Sequence, residues 1–521
     1  MGAGVLVVAL WSPVAAQEDV GGGAAGGPIG AHTEGPEPGS PTTDLFVSGQ
    51  AAIDRLGAGA ARAATEEGLT AGQVQDLLLV DPTLFAAPDG QLAYFDPMAP
   101  GEEPEFRPEA AEGPVAAPPT NGPEFQLASL PGAEKTIYLD FDGHVTTGTS
   151  WNSNYNVPTI VSPPYDISGD PDTWSATELS YIRRAWAVVA EDFAPWNVNV
   201  TTIEPSVEDL RRSGVGDTRW GARVVFTDDT FANCGCGGHA FIGAFDDIQD
   251  EPTFVYNSGF RGLSEAATHE VGHMLGLAHD GLTNGGAYYA GHQGAGQVGW
   301  APIMGVAYSR PLAQWSQQEY TGADNNDALA NYGRGRDDVA IISSLTNGNN
   351  FGLRPSEHGG LGRPTPLIGA NPTDTGILGL REDRHAFSFT TSGGDVSFTA
   401  TGDAESSNLD IRLSLINSSG VPLVQDNPLG SLNASVSATV PAGTYSVLVE
   451  GVGAGDPTAS PPNGYSDYAS MGQYTLTGTI DGAGGSPDRL TVLDAPCIID
   501  TGTLAANATA TEQIAGQCGV P

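Results

Sequence analysis

Three of the nine histidines fall within eleven residues, together with a glutamate. His269 and His273 are four residues apart, so on a helix their side chains lie on one face and can reach a single ion. Glu270 is one step round the same helix, where it can reach a water on the open side of that ion. Gly276 has the conformational freedom to end the helix sharply, so the chain can return His279 as a third ligand.

Three imidazole nitrogens and one open position are what a hydrolytic zinc site needs. Zinc in such a site polarises a carbonyl and lowers the pKa of a bound water toward about 7, and Glu270 is then the candidate general base. Chance produces a bare His-Glu-x-x-His too often for it to be informative, but it seldom adds Gly276 and His279 at the right spacing. The sequence therefore predicts zinc bound by His269, His273 and His279, with Glu270 as the catalytic residue.

Several predicted elements must position this site. A helix over residues 265–275 would carry the first two histidines, with Ser264 as its N-cap. A second helix precedes it, with Ser175 as N-cap and an apolar stripe formed by Leu179, Ile182, Trp186, Val189, Ala190 and Phe193. Short β-runs surround the helices, at 136–141, 198–202, 223–227, 239–245 and 253–256. This order of strands and helices is typical of an α/β unit of about 200 residues.

Residues 269–280 resemble the elongated zinc signature of the metzincins, His-Glu-x-x-His-x-x-Gly-x-x-His. The aspartate that follows it, Asp280, is similar to that of the reprolysin-like and matrix-metalloprotease branches. Metzincins also have a methionine turn beneath the zinc, and residues 301–305 fit it, which implies that Met304 is a structural floor and not a ligand. A bacterial group of secreted reprolysin-like proteases is further resembled by residues 137–143, 190–195 and 299–305.

The C-terminal part of the chain shows β-runs without a helical pattern. Six or more short runs separated by turn residues lie in residues 377–480, which suggests a β-sandwich and is similar to the bacterial pre-peptidase C-terminal domain. The resemblances imply an α/β metzincin catalytic domain, with a mixed twisted sheet and long helices, followed by an all-β sandwich. They imply a zinc-dependent endopeptidase that hydrolyses peptide bonds in proteins or peptides.

Metzincins bind an extended substrate by adding it to an edge strand, and the β-run 239–245 is the candidate for that strand. Its candidate substrate-binding residues are Gly238, His239 and Phe241. An ordinary edge strand with a solvent-facing His239 is the alternative. His292, in a glycine-rich loop, is a lesser candidate for lining a specificity pocket, against an ordinary loop histidine.

Two departures from the family pattern matter. Val306 stands where astacins and serralysins can place an additional tyrosine ligand, so Tyr308 does not inherit that role. No cysteine lies in the N-terminal module, which excludes latency by a cysteine switch.

Composition divides the chain into segments with distinct roles. An apolar run followed by small residues indicates a signal peptide and export, although no basic residue precedes the run and a mis-assigned start is the alternative. No other stretch is apolar enough to span a membrane, and we expect a secreted, monomeric zymogen. The predicted segments are 1–16 signal peptide, 17–43 disordered linker, 44–97 propeptide-like module, 98–130 linker, 131–350 zinc metalloprotease domain, 351–376 linker, 377–480 β-sandwich and 481–521 tail with a cysteine pair.

Acidic residues outnumber basic residues by 62 to 20, and the formal net charge is -42. A surface this acidic repels nucleic acid and anionic membranes, so neither is an expected partner. It stays soluble at high salt and suggests a marine or halophilic habit. Asp166, Asp170 and Asp172 are candidate ligands for a structural Ca²⁺, with a solvated acidic loop as the alternative.

The four cysteines form two local pairs, Cys234 with Cys236 and Cys497 with Cys518. An even count at close spacing predicts disulfides in an oxidising compartment. Metal binding by Cys-Gly-Cys is the alternative. Two further functions stay open: an adhesin that carries an idle zinc domain, which the intact Glu270 argues against, and a zinc amidohydrolase acting on cell-wall peptides.

Overall fold

The structure is a computed structural model, and it describes residues 45–61, 63, 69–102, 118, 120–283, 286–323, 337–345 and 348–483. Within these ranges the protein is mostly β-sheet with few helices. The expected signal peptide, the 17–43 linker and the pair Cys497 and Cys518 lie outside the described residues. The α-helices are α1 (Gly49–Leu56), α2 (Ala71–Val80), α3 (Ser150–Tyr155), α4 (Ala176–Asp192), α5 (Phe260–Met274) and α6 (Asp338–Ile342).

The first 12 strands belong to the part of the chain that contains the histidines. They are β1 (Val47–Ser48), β2 (Leu84–Ala86), β3 (Leu92–Pro97), β4 (Lys135–Asp140), β5 (His144–Thr146), β6 (Ile160–Ser162), β7 (Val198–Thr201), β8 (Trp220–Phe226), β9 (Cys236–Phe241), β10 (Thr253–Val255), β11 (Trp300–Pro302) and β12 (Leu312–Gln314). Eight of them form one sheet in the order β1-β2-β3-β9-β10-β8-β4-β7. The neighbours β7, β4, β8 and β10 pair in parallel, whereas β9 and the strands beyond it pair antiparallel. The sheet is therefore mixed.

Helices α4 and α5 pack against each other. Helix α4 begins as expected, because Ser175 caps it and Glu178 completes the capping box. The expected start of α5 at Ser264 is wrong: the helix begins at Phe260, after Gly259. Ser264 lies within the helix, where its hydroxyl donates to the carbonyl of Phe260 at 2.8 Å. A serine side chain that does not cap a helix often bonds to the preceding turn in this way.

The N-terminal module is continuous with the main sheet. Strand β3 pairs antiparallel with β9 along its length, so β9 is not an edge strand in this structure, contrary to expectation. Helices α1 and α2 cover a small core of their own, while Phe46 and Phe95 of the module pack into the larger core beside Trp151. The module is therefore fixed to the rest of the protein through hydrogen bonds and aromatic packing.

The C-terminal part contains the remaining strands, in a region rich in β-structure. They are β13 (Thr365–Pro366), β14 (Thr373–Leu378), β15 (Arg384–Gly402), β16 (Ile411–Asn417), β17 (Pro422–Asp426), β18 (Ala434–Gly451), β19 (Ala454–Asp456), β20 (Asn463–Tyr465) and β21 (Gly472–Ile480). The long strands β15 and β18 pair with each other over nearly their whole length. Phe387 and Phe398, from opposite halves of β15, lie in one core. The layers expected of a sandwich are thus joined by these two strands into one hydrogen-bonded sheet.

Buried polar contacts join the C-terminal strands to α4. The Glu191 carboxylate accepts hydrogen bonds from the backbone and the side-chain amide of Gln473, at 3.1 to 3.2 Å. Asp192 accepts from the Asn408 side chain at 2.7 Å and from the Thr268 hydroxyl at 2.6 Å. Because Thr268 lies on α5, the C-terminal part is linked to the back of the helix that carries the first two histidines.

We predict that this junction weakens as the pH rises. Burial, reinforced by Asp403, raises the pKa of Glu191 to about 8, well above its ordinary value. A carboxyl group with a raised folded-state pKa stabilises the folded protein below its unfolded-state pKa, and this contribution is lost as the pH rises through about 8. The Glu191→Gln variant should lack this loss, so its unfolding midpoint should rise relative to that of the wild type between about pH 5 and about pH 9.

The control is Glu405→Gln, which removes an exposed glutamate paired with Arg184 at the same junction. Its thermal unfolding midpoint should follow the wild-type pH profile in parallel. Parallel profiles for Glu191→Gln as well would contradict the assignment of the raised pKa to Glu191.

Candidate metal centre

The end of α5 places the third histidine. Gly276 has a positive φ of 90°, which glycine adopts without strain. Its N–H donates to the carbonyl of His273 at 2.8 Å, and the N–H of Leu277 donates to that of Gly272 at 3.0 Å. These two bonds form a Schellman motif, and they turn the chain so that His279 returns to the face of the helix that carries the other histidines.

The three histidines converge on one point. The Nε2 atoms of His273 and His279 are 3.1 Å apart, and one ligand atom from each histidine and from Asp96 lies within 4.8 Å of every other. Ligand atoms at ~2.0–2.1 Å from a tetrahedral zinc lie about 3.3 Å from one another. The donor set therefore fits a zinc ion in spacing and in chemical type.

The opposite ring nitrogens fix the orientation of each imidazole. His269 donates from Nδ1 to the Ile303 carbonyl and His273 to the Leu277 carbonyl, each at 2.8 Å. His279 Nδ1 lies 2.7 Å from Asp81 Oδ2. A carbonyl oxygen only accepts, so the proton of the first two rings is on Nδ1 and their Nε2 atoms are available to a metal. Within the described residues, His269 Nε2 makes no hydrogen bond, which leaves a buried polar atom that an ion would satisfy.

Glu270 is fully buried beside the histidines. A Cβ atom at Gly238 would collide with its carboxylate, so only glycine at that position of β9 leaves room for the glutamate. Burial, together with the neighbouring Asp96 carboxylate, raises the pKa of Glu270 well above its ordinary value. The group therefore accepts and holds a proton more readily than an exposed glutamate does.

Met304 is fully buried against the underside of α5. A Cβ atom at Gly272 would collide with the Met304 sulfur, so methionine and helix backbone are in direct contact. The adjacent residue, Ile303, supplies the carbonyl that orients His269. The segment 303–304 thus supports the histidine cluster from below and supplies no ligand atom to it.

The substrate-binding candidates divide between the two faces of the sheet. Gly238 faces Glu270, whereas the neighbouring His239 points to the other face, where its ring stacks 4.9 Å from that of Phe95. Phe241 lies on that same face and stacks against Trp151 at 3.7 Å. The expectation of a solvent-facing His239 is wrong, because the side chain is fully buried and burial lowers its pKa to about 3.

The remaining candidates have structural contacts. His292 bonds through its two nitrogens to the Tyr289 hydroxyl, at 2.7 Å, and to the Gly464 carbonyl, at 2.6 Å, so it joins a loop to β20. Asp166 accepts hydrogen bonds from backbone amides of its own loop. In the described part of the chain, Asp166, Asp170 and Asp172 do not gather into a metal-sized cluster.

A disulfide joins Cys234 and Cys236. Their sulfur atoms lie close enough to a His239 nitrogen for a second group of potential metal ligands, as the alternative interpretation of Cys-Gly-Cys requires. The disulfide uses both sulfur atoms, so the metal-binding alternative is not the state that the structure shows.

Sequence reasoning missed three residues at this centre, namely Asp81, Asp96 and Tyr288. Asp96 Oδ1 lies 3.0 Å from His279 Nε2, and Asp96 Oδ2 lies 3.2 Å from His273 Nε2. The Tyr288 hydroxyl donates to Asp96 Oδ1, and its ring lies 4.2 Å from that of His279. The sequence marks Asp96 only weakly as a ligand. It is a carboxylate at the end of a β-run, in a module that has no cysteine to occupy the metal.

No family model and no curated protein matches the chain. The pre-peptidase C-terminal domain of a Bacillus anthracis collagenase is 15% identical and matches 24% of this chain and 98% of its own, with a TM-score of 0.17. The Yersinia pseudotuberculosis-derived mitogen is 14% identical, with shares of 25% and 100% and a TM-score of 0.16. These are weak structural similarities, and neither supports an inference about activity.

The contact between Gly272 and Met304 gives a test of the support beneath α5. We expect Gly272→Ala to lower the free energy of unfolding by about 1–3 kcal/mol, because the new Cβ collides with the sulfur although alanine favours helix. Gly72→Ala on α2 is the matched control, since its Cβ meets no close atom, and it should be neutral or stabilising by at most about 1 kcal/mol. Urea denaturation of both variants measures these changes. Equal free energies of unfolding for the two variants would contradict the close contact between Gly272 and Met304.

Proposed function

We propose that the chain is the precursor of a zinc-dependent endopeptidase of the metzincin type, which cleaves proteins or peptides outside the cell. The observation that carries the proposal is the convergence of three buried imidazoles, with a buried glutamate on the helix that carries two of them. Two of the imidazoles have Nδ1 bound to a backbone carbonyl. Purely structural histidines have no need to present their second nitrogens to one another, whereas a metal site requires it.

His269, His273 and His279 would hold the ion, which when bound supplies Lewis-acid polarisation of a carbonyl and of a water. Glu270 is the group that moves the proton. Its carboxylate takes a proton from the attacking water and delivers it to the nitrogen of the leaving amine. Burial keeps bulk water from the carboxylate, which strengthens its interactions with the reacting groups.

Tyr288 would stabilise negative charge that develops on the substrate. Its hydroxyl donates to Asp96 Oδ1, which lies 3.0 Å from His279 Nε2, so it would face a substrate oxygen that gains charge at that point. A preorganised donor of this kind lowers the barrier because it needs no reorientation during the reaction.

The accessory features fit a secreted zymogen. The β-rich C-terminal part would be a domain of the pre-peptidase C-terminal type, and the N-terminal module would be the propeptide. No helix in the described ranges is long and apolar enough to cross a membrane. The disulfide between Cys234 and Cys236 is favoured in an oxidising compartment.

The role of Glu270 is tested by casein hydrolysis with the exported, processed protein. Glu270→Ala should bind zinc in the same ratio and lose activity by about 10²–10⁴-fold, because the carboxylate that takes the water proton is lost. Equal activity would remove Glu270 from the mechanism. A zinc-loaded wild type that cleaves no protein but opens peptidoglycan peptides would favour the amidohydrolase instead.

Tyr288→Phe should lower kcat for a peptide substrate by about 10²-fold and leave KM within about twofold, since only the charge-stabilising hydroxyl is lost. Tyr289→Phe is the matched control, because the hydroxyl of that neighbouring tyrosine bonds to His292 instead. Unchanged kcat in Tyr288→Phe, or equal losses in both variants, would contradict the assignment.

A further inference from the structure

We propose that residues 92–102 are an inhibitory segment bound in the protein's own substrate site, with Asp96 as the fourth ligand of the metal. The inference rests on the proposed zinc site and adds how that site is kept inactive. It follows from contacts at three places: the histidine cluster, the outer side of β9, and the start of α5.

At the histidine cluster, Asp96 occupies the open position. Its carboxylate lies 3.0 Å from His279 Nε2, 3.2 Å from His273 Nε2 and 3.6 Å from His269 Nε2. These spacings match the about 3.3 Å between ligands of a tetrahedral zinc, and carboxylate oxygen is among the ligands that zinc accepts. With Asp96 in place, no coordination position is left for the water that Glu270 must deprotonate.

Along β9, the segment occupies the place of an extended substrate. Strand β3 pairs antiparallel with β9, and Asp96 lies opposite Gly238. Paired residues of antiparallel strands point to the same face, so this register alone directs Asp96 to the side where Glu270 and the histidines lie. A substrate strand needs the same backbone groups of β9, and therefore it cannot bind while β3 is present.

Both faces of β3 hold it in this register. On the metal side, the Tyr94 ring stacks on that of His273 at 4.1 Å. On the opposite side, Phe95 stacks on His239 at 4.9 Å. Asp81, from the same N-terminal module, bonds to His279 Nδ1 at 2.7 Å. A slip of one residue would exchange the two faces and would put Phe95 against the histidines, so aromatic packing fixes the position of Asp96.

At the start of α5, Glu102 makes a second anionic contact. Its carboxylate accepts hydrogen bonds from the backbone N–H groups of Ser258, at 2.7 Å, and of Gly259, at 3.0 Å. Gly259 is the N-cap residue of α5 and Ser258 precedes it, so the carboxylate lies at the positive end of the helix dipole, where an anion is stabilised. Between these two carboxylates, Ala99 N–H donates to the Asn257 side chain at 2.9 Å. The segment is thus anchored at both the start and the catalytic face of α5.

The uncleaved full-length chain, loaded with Co²⁺ in place of zinc, provides the test. Acetohydroxamate, a small bidentate metal ligand, should bind Asp96→Ala at least about 100-fold more tightly than the wild type, since the wild-type position is filled nearly all the time. The visible cobalt spectrum should also change when the carboxylate is lost. Asp76→Ala, which removes an exposed carboxylate of α2, should behave as wild type.

Asp96→Asn serves as a second variant of the same shape if Asp96→Ala fails to fold. Equal hydroxamate affinities and identical spectra in wild type and Asp96 variants, with one cobalt bound to each, would overturn the role of Asp96 and leave the zinc site intact. A chain that binds no cobalt would contradict the proposed function itself.

Casein hydrolysis distinguishes the blocking of β9 by strand β3 from the binding of the metal by the Asp96 carboxylate. Because β3 still covers β9 in Asp96→Ala, that variant should bind hydroxamate and yet hydrolyse casein at least about tenfold more slowly than the processed protein. An uncleaved wild type that hydrolyses casein as fast as the processed protein would overturn the inhibitory segment.

Discussion

The structure depends on one constraint: three imidazole rings must be buried in contact with one another and still have partners for all their polar atoms. A buried polar group without a partner costs free energy, and three in one place would destabilise the fold. The protein supplies an acceptor for each Nδ1, from Ile303, Leu277 and Asp81. The Nε2 atoms are thereby directed to one point, where a single cation can satisfy all of them.

Each neighbouring element serves this arrangement. The turn at Gly276 brings both His279 and the carbonyl of Leu277 into place. The segment at Met304 contacts α5 where glycine permits close approach, and it carries the acceptor for His269. The C-terminal part reaches the opposite side of α5 through Asp192 and Thr268. Helix α5 is therefore supported by the sheet, by the segment at Met304 and by the C-terminal part. A precisely spaced set of ligands needs support of this kind.

Local features of the site were predictable from the sequence, because the spacing of His269, Glu270 and His273 on a helix fixes their relative positions. The capped start of α4 was also predictable, because an N-cap serine followed three residues later by glutamate is a local sequence pattern. The contribution of Asp96 was not, since it depends on a pairing between β3 and β9 that spans well over a hundred residues of sequence. The buried side of His239 was also missed: alternation along a strand gives two faces but does not say which one is covered.

The central claim, that the histidine cluster binds zinc, is tested most directly by anomalous diffraction at the zinc absorption edge from crystals of the full-length protein. The account predicts one strong peak about 2.0–2.1 Å from the Nε2 atoms of His269, His273 and His279, with Asp96 as the fourth ligand. Zinc bound at another place in the chain, or no anomalous peak between these histidines after zinc loading, would contradict it.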